Sequence, residues 1–193
     1  ATPGDDLAAD ITLRSHGVTG ESYAFVVGTT PTPGVPDQTS MVTLALKVYQ
    51  NGPATPMLAR LDTIPGRSIT GAAVDAAFEG STFHIASGGT SRVPNLPGSA
   101  DYTVGVRRLE IDLVTREPTD NPTRWFRHIT DGLGDDVLAD VAINSSTVEP
   151  QTLEGVVWVT GKSQDGPNGD FDILTYQLND LDGSGMPGDT LWQ

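Results

Sequence analysis

The chain has 193 residues, a formal net charge of −14 and no cysteine. Disulfides, thiolate metal sites and a cysteine nucleophile are thereby excluded. Its acidity, which repels phosphate backbones, argues against a nucleic-acid partner. No run of 18 or more apolar residues is present, so no helical membrane span is expected.

Helices are expected to be few, because no long window keeps an apolar period of 3.6 residues. Short β-branched runs separated by Gly, Pro, Asn and Asp read instead as strands and turns. The first strand is expected over residues 9–13 around Asp10, and the second over 23–28, ending in Gly28. A Gly/Pro-rich loop over 29–39 leads to a third strand over 41–49 and a fourth around Leu58. The same four-strand order then returns. Its members lie over 74–78 with Asp75, over 83–88, over 102–110 after a loop at 89–100, and around Trp125. A third pass runs through 139–143 with Asp140, through 156–161, through 171–178 after a loop at 162–169, and to Trp192.

Two markers at opposite ends of the unit keep nearly one period. Asp10, Asp75 and Asp140 are 65 residues apart, and Leu58, Trp125 and Trp192 are 67 apart. A repeat of this kind sets the architecture. No linker interrupts it, so the chain reads as one domain of three units, about residues 5–62, 67–129 and 134–193. Length variation is confined to the loops, which a repeat scaffold tolerates.

The strands are mostly apolar rather than cleanly alternating, which suits sheets covered on both faces. A four-stranded antiparallel sheet flanked by copies of itself is a propeller blade. The residues Val157-Trp158-Val159-Thr160-Gly161, Asp170-Phe171 and Leu191-Trp192 resemble the bacterial and archaeal β-propeller repeats of the SBBP and Kelch-like kind. In those repeats a second strand ending in V-x-V-T-G precedes a third opening on Asp-aromatic and a fourth carrying Trp. Asp101-Tyr102 repeats the aromatic opening, whereas the first unit lacks it and has Leu58 in place of Trp. The expected fold is all-β, with three four-stranded antiparallel blades of a β-propeller, a half ring or partial propeller. Known propellers close with about 4 to 8 blades. The ring is therefore expected to be completed by a second copy, by another chain or by missing blades.

Asp10, Asp75 and Asp140 are the leading site candidates. In a propeller the first strand lines the channel, so three carboxylates would form part of a ring and would raise each other's pKa or hold a cation. The competing reading has each carboxylate accepting backbone N–H groups of the next blade. Asp180, Asp182 and Ser184 match the opening of a calcium loop, with oxygens at positions 1, 3 and 5 and Gly185 at 6. Leu191 stands where the bidentate Glu would be, so a plain Asp-Gly turn competes with Ca2+ there. The loop over 164–170 is a weaker cation candidate. His16, His84 and His128 show no metal-ligand spacing.

Asp outnumbers Glu 19 to 6, and lysine occurs only at 47 and 162. An exported protein with Asp-rich turns and a salt-adapted protein share this composition. A start at Ala1 without Met fits a processed, exported chain or a cut one. The expected function is an exported or cell-surface binding and assembly scaffold, without enzymatic activity, facing a protein or glycan. The alternatives are a propeller hydrolase or lyase acting on glycans, and a salt-adapted subunit of a surface layer or filament.

Overall fold

A computed structural model describes residues 6–79, 81–119, 123–129, 134–144, 156–164 and 171–179. These residues are all-β: twelve strands and no helix among them. Strands β1 (Leu7–Ser15), β2 (Ser22–Pro31), β3 (Thr39–Val48) and β4 (Thr55–Asp62) form the first sheet in the order β1-β2-β3-β4. Strands β5 (Ser68–Glu79), β6 (Thr82–Arg92), β7 (Asp101–Ile111), β8 (Pro118–Thr119) and β9 (Thr123–Ile129) form the second. There the fourth position is split, and both β8 and β9 pair with β7. Strands β10 (Val137–Asn144), β11 (Val156–Gln164) and β12 (Phe171–Asn179) form the third. All pairings are antiparallel, and all but β7–β9 join chain neighbours, as hairpin-linked strands allow.

The second sheet is buried on both faces, and strand alternation explains how. Phe83, Ile85, Leu109 and Ile111 point to one side, where they meet Tyr23, Phe25, Val27, Met41 and Ala45 of the first sheet. Ala86, Tyr102, Val104 and Val106 point to the other, where they meet Leu138, Val141, Ile143, Val157 and Val159 of the third. Residues of opposite parity thus feed two separate cores. This is why β6 and β7 read as near-continuous apolar runs.

Each first strand carries a bulge, at Ala8/Asp10, Gly71/Ala73 and Leu138/Asp140. A glycine of the neighbouring strand lies beside each bulge: Gly28, Gly89 and Gly161. A Cβ there would come within 2.4 Å of Leu7 O, 2.3 Å of Thr70 O or 2.3 Å of Val137 O. The glycines are needed because the bulged backbone presses against them. They also provide the true structural alignment of the three units, with Gly89, not Gly88, as the second member.

Candidate functional site

On that alignment Asp10 and Asp140 are equivalent, opposite Val27 and Thr160. In the second sheet the position belongs to Ala73, opposite Gly88. Asp75 lies two residues further along, on the same face of the strand. The even 65-residue spacing therefore arises from unequal loops and does not superpose three carboxylates.

Two of the acids bind the backbone of the next sheet. Asp10 Oδ2 accepts the Val74 N–H at 2.9 Å, and Asp75 Oδ2 accepts the Ile143 N–H at 3.1 Å. Both follow one rule: the amide lies one aligned position beyond the acid. Each acid also accepts the amide of its own successor through Oδ1: Ile11 at 2.8 Å, Ala76 at 2.8 Å and Val141 at 2.8 Å for Asp10, Asp75 and Asp140. Arg14 reaches from the first sheet to the Asp75 carboxylate and to the Ala76 carbonyl at 2.6 Å. These carboxylates join one sheet to the next, which is the hydrogen-bonding reading of the acids. Asp140 is exposed, and no sheet lies beyond it among the described residues.

A second set of bonds obeys the same alignment and was not singled out from the sequence. Thr29 and Thr90 each follow the bulge glycine. Thr29 Oγ1 accepts the Gly71 N–H at 2.9 Å, and Thr90 Oγ1 accepts the Leu138 N–H at 3.0 Å. The Gly-Thr pairs at 28–29 and 89–90 were the available signal. In the third sheet Lys162 takes the position.

Between the first two sheets lies a buried polar group. Arg107 is 1% exposed and pairs with Asp62, and its Nη1 donates to Ser87 Oγ at 3.0 Å. Thr43 Oγ1 completes the set, 3.0 Å from Ser87 Oγ. Burial pushes the Asp62 carboxyl upward, opposed by the Arg107 guanidinium. Each residue of the group meets another through at least one bond, while the Arg107 Nε–H is buried without a hydrogen-bond partner.

One end of the molecule brings together groups of catalytic type. Asp101 is buried, pairs with Arg67 and sits 3.0 Å from His128 Nε2. Arg67 also donates to the Ser91 carbonyl at 3.2 Å and to the Ser99 carbonyl. Above this cluster stands the β6–β7 loop, built like the β2–β3 loop. Pro33-Gly34-Val35-Pro36-Asp37 and Pro94-Asn95-Leu96-Pro97-Gly98 share φ values of 75°, 61°, 63° and 69° at Gly34, Asp37, Asn95 and Gly98. Each closes with an equivalent turn, Val35 N–H to Thr32 O and Leu96 N–H to Val93 O, both 3.2 Å. The prolines restrict both loops, and each presents an exposed aliphatic, Val35 or Leu96, at its tip.

Of the histidines, His16 is buried among Phe78, Phe83 and Tyr23, with ring centroids 4.3, 5.7 and 6.3 Å away. Its Nδ1 accepts the Thr19 N–H at 3.2 Å, so it holds the β1–β2 turn. His84 is buried in β6. No group of three or more His, Asp or Glu able to hold a metal occurs among the described residues. The calcium candidates Asp180, Asp182 and Ser184, the loop over 165–170 and the Trp192 marker lie outside the described residues. No helix among the described residues is long and apolar enough to cross a membrane. Comparison of the chain with known protein families, with curated proteins and with solved structures gives no match.

Proposed function

We propose that this chain is a non-enzymatic binding and assembly scaffold, a partial β-propeller that joins other polypeptides through an open sheet face. One observation carries the reading. The middle of the first sheet's outer face carries no charged side chain, in a chain whose net charge is −14. Its cross-strand rows are Ile11–Val26–Leu44–Ala59, Leu13–Ala24–Leu46–Pro56 and Gly28–Val42–Leu61. Ile11 and Leu13 are 59% and 62% exposed. A face of about 19 by 26 Å, from four strands at about 4.8 Å spacing and about eight residues at 3.3 Å rise, is on the order of 500 Å². That reaches the size at which an exposed apolar patch marks an interaction site. The equivalent faces of the second and third sheets are both covered by a neighbouring sheet, and this one invites the same cover. Export and cell-surface residence remain part of the proposal on composition alone.

The test is light scattering together with binding of an apolar dye. Association, or dye binding that Leu44→Lys removes, supports the scaffold. A strictly monomeric chain that binds no dye overturns it.

The second reading, an enzyme acting on glycans, is favoured by the Arg67–Asp101–His128 cluster under a rigid loop. A glycan-hydrolase or lyase activity abolished by His128→Ala in a chain that stays folded would support it. Asp10 and Asp75 are poor candidates for acid–base work, since backbone amides occupy both oxygens of each.

A further inference from the structure

We propose that the chain associates head to tail with a second copy of itself. The outer face of the third sheet in one copy seats on the outer face of the first sheet in the next. Asp140 accepts the Ile11 N–H across the junction. The inference rests on the scaffold reading above and names its partner and register.

The internal junctions supply the argument. Each joins the same two kinds of face. One sheet contributes an acid from its first strand, and the next contributes an amide one aligned position beyond. The rule holds for Asp10 with Val74 and for Asp75 with Ile143. Asp140 is the structural counterpart of Asp10, and its Oδ1 already meets the Val141 amide as Asp10 Oδ1 meets Ile11. Its Oδ2 is the atom that in Asp10 crosses to the next sheet. The aligned amide one position beyond is that of Ile11, at the far end of the array. Ile11 N–H then serves two carboxylates as a three-centre bond.

The flanking surfaces agree. The third sheet's outer face carries Trp158 and Ile173, 36% and 85% exposed, beside the polar Thr160, Lys162 and Thr175, and lies at the opposite end from the face of Ile11 and Leu13. In the alignment Ile173 stands where Met41 and Tyr102 stand, and both of those are buried against the following sheet. Joining the first sheet to the three described strands of the third covers about 400 Å² on each side, about 800 Å² in total, the size of a weak, transient interface. A front-to-front pairing of two first sheets would leave Trp158, Ile173 and the Asp140 oxygen uncovered. The threonine bond of the internal junctions has no counterpart, because Lys162 replaces Thr29 and Thr90. The junction between copies is accordingly weaker than those within the chain and depends on concentration. Two chains of charge −14 also repel at long range, so association strengthens as salt screens them.

The test is sedimentation or light scattering over a range of concentration and salt, on the wild-type chain and two variants. Ile11→Lys disables only the first-sheet face and Ile173→Lys only the third-sheet face. Both sites are exposed, and circular dichroism checks that each variant folds. Each variant alone is expected to be monomeric, while an equal mixture forms a one-to-one pair through the intact faces. Asp140→Ala is expected to weaken wild-type association about tenfold. Self-association of Ile173→Lys alone would show front-to-front pairing and overturn the proposal. A mixture that stays monomeric overturns it as well. A wild-type monomer that still binds the apolar dye overturns this inference but leaves the scaffold reading standing.

Discussion

Thr29→Val isolates one of the bonds that join the sheets. Valine keeps the shape of threonine and removes only the oxygen that accepts the Gly71 N–H at 2.9 Å. Both groups are buried, so water cannot replace the lost partner. An unsatisfied buried amide costs about 1–3 kcal/mol. The added methyl returns at most about 0.8 kcal/mol. A net loss of about 1–2 kcal/mol is expected, or roughly 2–8 °C in melting temperature for a domain of this size. Thr90→Val breaks the equivalent bond to Leu138, but at a part-buried site, so its cost should be smaller. The two junctions lie on opposite sides of the second sheet, and the double variant should equal the sum within about 0.5 kcal/mol. Thr30→Val, which removes an exposed bond to Asp6, is the control and should change stability by less than about 0.5 kcal/mol. Urea unfolding with a constant m-value measures all four. If Thr29→Val is no more destabilising than Thr30→Val, the threonine rule at the junctions is wrong.

Other perturbations test other parts of the structure. Gly89→Ala places a Cβ 2.3 Å from the Thr70 carbonyl and should cost at least about 2 kcal/mol by thermal unfolding. Gly20→Ala meets no atom within 4 Å and is strained only by its φ of +69°, so about 1 kcal/mol is expected. Asp75→Ala removes a partner of Arg14, Ala76 and Ile143 at once and should cost more than Asp75→Asn, which retains an oxygen acceptor. Burial holds the His16 imidazole below its ordinary value of 6.5, partly opposed by Glu21. The unfolded chain then binds a proton that the folded chain resists, so this contribution is present above about pH 6.5 and is lost as pH falls through the depressed folded value. Unfolding followed from pH 7.5 to 5 should show the loss, and His16→Gln should flatten it. Glu21 acts at lower pH, because Lys47 and Tyr23 hold its carboxyl below 4.5 despite burial.

Much of the fold was legible because strand signals are local. The runs around Phe25, Ile85 and Val157 are β-branched or aromatic and are bounded by turn residues, and each became a strand. The acids were visible as a period but not as a register. A two-residue offset keeps a side chain on the same face of a strand, so Asp75 could be counted with Asp10 and Asp140 while standing elsewhere. The glycines at 28, 89 and 161 would have exposed the offset, since each marks where a bulge presses on its neighbour. The sequence offers Arg107 only as an exposed charge or a surface salt bridge; its burial against Asp62 could not be read there, because two charges 45 residues apart pair only once their sheets are stacked.

Composition and strand patterning by themselves determined that this protein is all-β, built of repeated antiparallel units and without cysteine chemistry. These properties follow from backbone sterics, alternation and residue type, which act within a few neighbours along the chain. Only the tertiary structure decided what the carboxylates do. Whether an acid lines a channel, holds a cation or accepts an amide depends on which backbone lies within hydrogen-bonding reach of it. For Asp10 and Asp75 that backbone belongs to the next sheet, 64 and 68 residues away.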